Sequence, residues 1–127
     1  MLAFNFKTAD KLGLVPKAVP ALIKVLRMLE RRELVKTCWL RPSINNGFNM
    51  ATIFHTTNCG SVGCIFGWAQ QFEPGFKGRG MASPNITVTQ RAALDRLYCP
   101  GELDRRTVAE AAHALRTYLV TGTADWG

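Results

Sequence analysis

The chain has 127 residues, a formal net charge of +7 and 47% hydrophobic residues, which suits a single globular domain with a buried core. Residues 1–10 lack a charged end followed by a long apolar run, so we expect neither a secretory signal nor a membrane anchor there. The four cysteines are expected to be reduced, buried and mostly inert thiols. Together these features predict a cytoplasmic protein.

The positive charge is concentrated near the beginning of the chain. Residues 1–41 hold nine of the sixteen basic residues against three acidic ones. Five of these nine basic residues fall on a predicted amphipathic helix over about 17–35, in which Pro20 is tolerated because the first helical turn needs no N–H donors. Helical spacing places Leu22, Val25, Leu26 and Leu29 on one face, and Lys17, Lys24, Arg27 and Arg31 on the opposite face.

A basic helical face of this kind suits three partners: a phosphate backbone, an acidic protein or a membrane surface. A membrane role is the least favoured, because the apolar face carries no Trp or Phe to enter lipid. Charged outer faces are also the rule on ordinary surface helices, so a merely solvated face remains the alternative interpretation.

Residues 36–54 are predicted to form a short β-hairpin. Asn45-Asn46-Gly47 is a tight-turn signal between two segments that are rich in aromatic and β-branched residues. An irregular connection is the alternative, because Arg41-Pro42 interrupts the first segment.

The stretch NCGSVGCIFGW, residues 58–68, is predicted to open a central core helix over about 62–72 that is capped by Ser61. Gly60, Gly63 and Gly67 then share one helical face. Two glycines inside a helix cost about 1 kcal/mol each relative to alanine, so we expect close packing as compensation. The predicted result is a groove that accepts the backbone of another helix.

Glycine and proline mark residues 73–86 as a flexible surface loop, in which Lys77 and Arg79 are further candidate contacts to phosphate or to a partner.

Two helices follow, over about 88–98 and 108–121. Thr87 with Gln90, and Thr107 with Glu110, have the spacing of capping boxes. Gly122 is placed to end the last helix, whose alanines are expected to pack in the glycine groove, and Trp126 is expected to fold back as a plug. The fold class is therefore predicted as mainly α, a compact single-domain bundle of about four helices.

A catalytic interpretation depends on Cys59, which precedes the predicted helix start, where the helix dipole lowers a thiol pKa, and on His55 as a base. The alternative is that Cys59 and Cys64 are small apolar fillers beside Trp68. A zinc site is disfavoured because C-x4-C is not the C-x2-C spacing of structural zinc. Since no catalytic carboxylate pair, phosphate-binding loop or nucleophile motif is present either, we predict no enzyme, no catalytic residue, no metal and no cofactor.

The stretch Cys59–Ala69 resembles the C-G-[ST]-V-x-C-I-x-G-W-A motif of a family of small proteins from bacteria, their phages and plasmids. Further likenesses lie in the order Phe48-Asn49-Met50, Leu97-Tyr98-Cys99-Pro100 and the end of the chain at Thr121–Trp126, so the resemblance covers most of the chain from about residue 16. It implies a compact helical fold and a mobile-element or phage context. The residues of the motif are expected to have a structural role: Cys59, Gly60, Gly63, Cys64, Gly67 and Trp68.

Two functions from different classes follow from these observations. The first is a non-enzymatic accessory protein that binds a host protein or nucleoprotein complex, for example to inhibit a CRISPR-type defence system. The alternative is a nucleic-acid-binding protein that uses the basic N-terminal helix.

Overall fold

The computed structural model describes residues 6–40, 42, 44–76 and 80–127, and over these residues the chain forms five α-helices and one four-stranded sheet. The helices are α1 (Ala9–Leu12), α2 (Ala18–Glu30), α3 (Ile65–Phe72), α4 (Val88–Tyr98) and α5 (Val108–Thr121); the strands are β1 (Val35–Lys36), β2 (Gly47–Phe48), β3 (Phe54–Thr57) and β4 (Gly60–Gly63). Short 3-10 turns occur at Pro74–Phe76 and Leu103–Arg105. The prediction of a mainly helical bundle is therefore wrong, and the fold is α/β.

The sheet has the strand order β1-β2-β4-β3. Strands β1, β2 and β4 run parallel, with Val35 opposite Gly47 and Gly47 opposite Val62. The hairpin predicted near residues 36–54 is therefore wrong, since its two segments pair in the same direction. The antiparallel hairpin lies one segment later, between β3 and β4, where Thr57 pairs with Gly60.

The NCGSVGCIFGW stretch thus contains a hairpin turn, a strand and a helix start. The predicted core helix over 62–72 is wrong in its first residues, because Val62 is a strand residue between Gly47 and His55. Ser61 is not the helix cap, and its backbone N–H donates to the Ile44 carbonyl at 2.7 Å. Cys64 takes the capping position instead, and its Sγ accepts the Gly67 N–H at 3.4 Å.

The glycines of this stretch face extended chain rather than a helix, so the predicted helix-accepting groove is wrong. A Cβ on Gly60 would lie 2.2 Å from the Ile44 carbonyl oxygen, and one on Gly67 would lie 1.5 Å from the Ile53 carbonyl oxygen. A Cβ on Gly63 would lie 2.9 Å from the same Ile53 carbonyl oxygen. The backbone segments before β2 and β3 therefore occupy the space that the missing side chains leave.

Helix α2 lies between α3 and α5, and α4 packs on α5. The inward face of α2 is buried, and this set includes the four leucine and valine positions that helical spacing predicted: Ala18, Ala21, Leu22, Val25, Leu26 and Leu29. The alanine-rich α5 packs on α2 and α4, so its predicted position in a glycine groove is also wrong. None of the helices over the described residues is long and apolar enough to cross a membrane.

Local signals at the two C-terminal helices are confirmed. Both capping boxes are present, with Thr87 and Gln90 at α4 and with Thr107 and Glu110 at α5. Gly122 ends α5 in the left-handed conformation, at a φ of 87°. Trp126 is 4% exposed and donates from Nε1 to the Arg96 carbonyl at 3.0 Å, which confirms that the chain end folds back as a plug.

Asn49 ties the sheet to the turn before α5. Its side chain is 1% exposed. Nδ2 donates to the Thr37 carbonyl at 3.0 Å and to Asp104 Oδ1 at 2.9 Å, while Oδ1 accepts the Ala51 N–H at 2.8 Å. Because a buried amide is costly unless its hydrogen bonds are made, these three bonds fix the chain at the ends of β1 and β2.

The described residues that follow α3 contact the chain between α1 and α2. Phe76 and Met81 are buried. The Val15 N–H donates to the Met81 carbonyl at 2.8 Å, and the Ser83 N–H donates to the Gly13 carbonyl at 2.8 Å. These bonds attach residues 80–83 to the start of the basic helix.

The contact at Gly67 predicts that alanine at this position destabilises the protein, whereas helix propensity alone predicts that it stabilises it. Alanine normally stabilises a helix interior by about 1 kcal/mol relative to glycine. Because the added methyl group would overlap the Ile53 carbonyl, we expect Gly67→Ala to lower the free energy of unfolding by about 2–4 kcal/mol. Urea denaturation followed by circular dichroism measures this change.

Gly75→Ala is the matched control. The nearest atom to an added Cβ there is Glu73 Oε2 at 3.5 Å, an ordinary contact, so we expect a change within about 0.5 kcal/mol. A Gly67→Ala variant as stable as the parent chain would contradict the close packing of α3 on the segment before β3.

Candidate functional site

The candidate site is the outer face of α2, here called the basic row and defined as Lys17, Lys24, Arg27 and Arg31. Helix α2 begins at Ala18 and ends at Glu30, short of residue 35, because Arg32 adopts a left-handed conformation with a φ of 60°. Lys17 is the N-terminal cap position and Arg31 is the C-terminal one. All four side chains are exposed, on the side of the helix opposite its buried face.

The regular spacing of the basic row comes from helix geometry. Lys17, Lys24 and Arg31 are seven residues apart, so they align along the helix at intervals of roughly 10 Å. Arg27 lies between the last two. The resulting line of positive charge is about 20 Å long and sits on a helix that α3 and α5 hold in place.

The first two cations of the row also contact α3 and the residue after it. Lys17 Nζ lies 3.9 Å from Glu73 Oε2, and Lys24 Nζ lies 5.5 Å from the centroid of the Phe72 ring. The Lys17 side chain is 76% exposed, so this ion pair contributes at most about 1 kcal/mol. Both ammonium groups remain accessible to a partner.

The acidic residue nearest to the row in sequence is engaged elsewhere. Glu30 accepts two hydrogen bonds from Arg116, at 2.6 Å from Nε and at 2.8 Å from the second guanidinium nitrogen. This pairing raises the pKa of Arg116. In the part of the chain that the structure describes, neither Arg27 nor Arg31 forms a salt bridge. The C-terminal half of the row therefore keeps its positive charge.

Two other predicted contacts, Lys77 and Arg79, lie outside the described residues. The structure therefore places four of the six predicted binding residues, and it brings those four together on one helix.

Cys59 lies at the tip of the β3–β4 hairpin and not at a helix start. Its backbone N–H donates to Thr57 Oγ1 at 3.1 Å, and α3 begins only at Ile65. The helix-dipole reason for a reactive Cys59 is therefore wrong. The expectation that Cys59 is a buried filler is wrong too, because the residue is exposed, as are His55, Cys38 and Cys99.

The thiol at the helix start belongs to Cys64. This residue is 5% exposed, and burial raises the pKa of its thiol, against a smaller opposite effect of the hydrogen bond from the Gly67 N–H. A neutral thiol is therefore held in the core, where it packs as the filler that the sequence predicted.

No group of three or more His, Cys, Asp or Glu side chains is arranged to hold a metal ion within residues 6–40, 42, 44–76 and 80–127. Sequence reasoning assigned no role to the buried amide of Asn49 or to Asp104, the carboxylate that it contacts. The only sequence signal for a buried Asn49 was its position between two apolar residues, Phe48 and Met50, which are buried in the core.

Comparison with protein-family models gives no match. Searches among curated proteins and among solved structures likewise give no match. The resemblance to the phage and plasmid family therefore stays a prediction that is based on the motif at residues 59–69.

The burial of the cysteines predicts the outcome of thiol labelling. An aromatic disulfide reagent should modify Cys38, Cys59 and Cys99 rapidly in the native protein, because all three are exposed. Cys64 should react only when denaturant opens the core, since it is buried and its thiol pKa is raised. Absorbance of the released thiolate, recorded with and without denaturant, counts the groups in each phase.

Two variants assign the phases. Cys59→Ser should remove one group from the rapid phase, and Cys64→Ala should remove only the group that denaturant exposes. Loss of a rapidly reacting group in Cys64→Ala would show that the start of α3 is open to solvent, contrary to the capping arrangement described above.

Proposed function

We propose that the protein is a non-enzymatic binding protein that docks the basic row of α2 on an acidic surface of a host protein or nucleoprotein complex. The observation that carries this proposal is the division of α2 into two faces. Its apolar face is fully engaged in the core, whereas Lys24, Arg27 and Arg31 project outwards. A partner can therefore bind the row without disturbing any core contact.

Rigidity favours this use of the row. Helix α2 is fixed on one side by α3 and on another by α5, where the Glu30–Arg116 pair links the two helices. Cations on a fixed helix lose less conformational freedom on binding than cations on a mobile segment. Clustered positive charge also steers an acidic partner and accelerates association.

The motif resemblance supplies the biological context of the proposal. A family of phage and plasmid proteins suggests an accessory role against a host system, such as inhibition of a CRISPR-type complex. In such complexes the protein channel that holds the nucleic acid is itself positively charged. A basic chain would therefore dock on the nucleic acid of the loaded complex or on an acidic protein surface, and not in the empty channel.

Direct binding of free nucleic acid is the second candidate function. It is favoured by the roughly 20 Å line of cations, which has the length and sign needed to follow a phosphate backbone. The two functions differ in salt dependence: the logarithm of a nucleic-acid affinity falls by about one unit per neutralised phosphate for each unit of log salt concentration.

The double charge reversal Lys24→Glu/Arg27→Glu tests the basic row. We expect capture of a partner from a bacterial lysate by the immobilised protein to fall about tenfold or more, because two attractive contacts become repulsive. Quantitative mass spectrometry of nuclease-treated and untreated lysates measures the captured protein. Anisotropy titrations with labelled oligonucleotides of about 20–30 nucleotides, at several salt concentrations, measure direct nucleic-acid binding.

Arg91→Glu/Arg105→Glu is the matched control, because it changes the net charge by the same amount at exposed positions outside α2. Capture that survives nuclease and the control, but not the Lys24/Arg27 reversal, supports a protein partner. Oligonucleotide binding that depends steeply on salt, and that is lost in the Lys24/Arg27 reversal but kept in the control, assigns direct nucleic-acid binding. Equal loss in both variants would leave only net charge as the cause and overturn the role of the row.

A further inference from the structure

A second positively charged surface lies away from the residues of the basic row. The α4–α5 cleft is a cavity of about 480 Å³ between α1 with the residues that lead into it, residues 89–96 of α4 and the end of α5. Its polar lining consists mainly of three cations and three hydroxyl groups: Lys7, Lys11, Arg96, Thr89, Thr121 and Thr123. Sequence patterns did not indicate it, because these residues come from three separate segments of the chain.

The charge of this cleft is unbalanced. Three cationic side chains line it, and its described lining includes no carboxylate. Like charges that converge on one concave surface repel each other more strongly than on an open surface, because part of the intervening water is replaced by protein. An anion in the cleft would relieve that repulsion.

The three cations are held by contacts of their own backbones. The Lys7 N–H donates to the Leu119 carbonyl at 2.7 Å, and the Lys11 carbonyl accepts from Gln90 Nε2 at 2.9 Å. The Arg96 carbonyl accepts from Trp126 Nε1 at 3.0 Å. Each side chain therefore starts from a fixed point on the wall of the cleft, which reduces the entropy lost when it binds a ligand.

The lining hydroxyls differ in what they already bind. Thr121 Oγ1 donates to the Thr117 carbonyl at 2.6 Å and accepts the Thr123 N–H at 3.2 Å, so it serves the end of α5. The hydroxyls of Thr89 and Thr123 remain as neutral donors beside the cations. Thr89 also lies in the first turn of α4, where the helix dipole favours negative charge.

Asp125 is a carboxylate close enough to Arg96 to be affected by its charge. It accepts the Gly127 N–H at 3.0 Å and lies 3.2 Å from His113 Nε2. These two contacts, with a smaller effect of Arg96, lower the pKa of Asp125. Asp125 is directed to His113 and does not line the cleft, and Arg96 forms no salt bridge within the residues that the structure describes.

We propose that the α4–α5 cleft binds a phosphate group, either as inorganic phosphate or as a phosphate monoester. A phosphate dianion offers several acceptor oxygens to three cations and two hydroxyls, whereas a carboxylate offers a single charge and two oxygens. Ala92 and Ala93 line the remaining wall, and the described lining includes no aromatic ring on which a base would stack. The group recognised is therefore the phosphate and not an attached base.

The test uses the full ¹⁵N-labelled chain, titrated with inorganic phosphate at constant ionic strength. The expected result is saturable shifts of the Thr89, Gly122 and Thr123 amide signals. In Lys11→Gln/Arg96→Gln the dissociation constant should rise about tenfold or more, because two charge-assisted hydrogen bonds are lost. Arg96→Lys, which keeps the charge, should bind more tightly than Arg96→Gln.

Lys24→Gln/Arg27→Gln is the matched control, because it removes two cations from the basic row and leaves the cleft intact; its dissociation constant should stay within about twofold of the parent value. Melting temperatures of all variants verify folding. Shifts that do not saturate, or equal weakening in the two double variants, would overturn the proposal. Tighter binding of phenyl phosphate than of inorganic phosphate assigns the monoester, and the reverse order assigns the free ion. This outcome is independent of partner capture by the basic row.

Discussion

The close approach of backbone to backbone at Gly63 and Gly67 is the constraint on which the rest of the fold depends. Both residues face the Ile53 carbonyl, so the segment before β3 lies directly against the junction of β4 and α3. The Cys64 N–H also donates to the carbonyls of Thr52 and Ile53, at 3.0 and 3.1 Å. Any side chain at the two glycines would push this segment away and break those hydrogen bonds. Strand β4, the Cys64 cap and helix α3 therefore form one structural unit.

This unit determines where the cationic surface lies. Trp68 donates from Nε1 to the Gly47 carbonyl at 2.9 Å and packs edge-on against Phe54, which anchors α3 to two strands of the sheet. Helix α2 then covers α3 with its leucine and valine face. Because that face is fully used, the remaining side of α2 must point to solvent, and it carries the lysines and arginines.

The parts of the fold that were predictable from the sequence have local causes. The ends of α4 and α5 follow from capping boxes and from Gly122, and the inward face of α2 follows from its leucine spacing. The sheet was not predictable in the same way, because strands of two to four residues carry too little periodicity and their pairing depends on distant segments. The glycine spacing was equally compatible with a groove for another helix and with a close contact to extended chain. Only the contact with Ile53 shows that the second arrangement is present. The basic row was predictable because it lies on one helix, whereas the α4–α5 cleft joins residues far apart in sequence.

Four of the nine acidic residues are engaged in contacts that hold the fold together. Glu30 binds Arg116, Glu110 caps α5 and faces Arg106, and Asp104 holds Asn49. The hydrogen bond from the Thr107 N–H is also the chief reason why the pKa of Glu110 is lowered. Asp125 is engaged by His113 and by the Gly127 N–H. These four carboxylates therefore serve the fold, and over the described residues none of them forms a salt bridge with Lys24, Arg27, Lys7 or Lys11. A net charge of +7 favours anions over the whole surface, and the clustering of cations on the outer face of α2 and in the α4–α5 cleft concentrates that preference at two places.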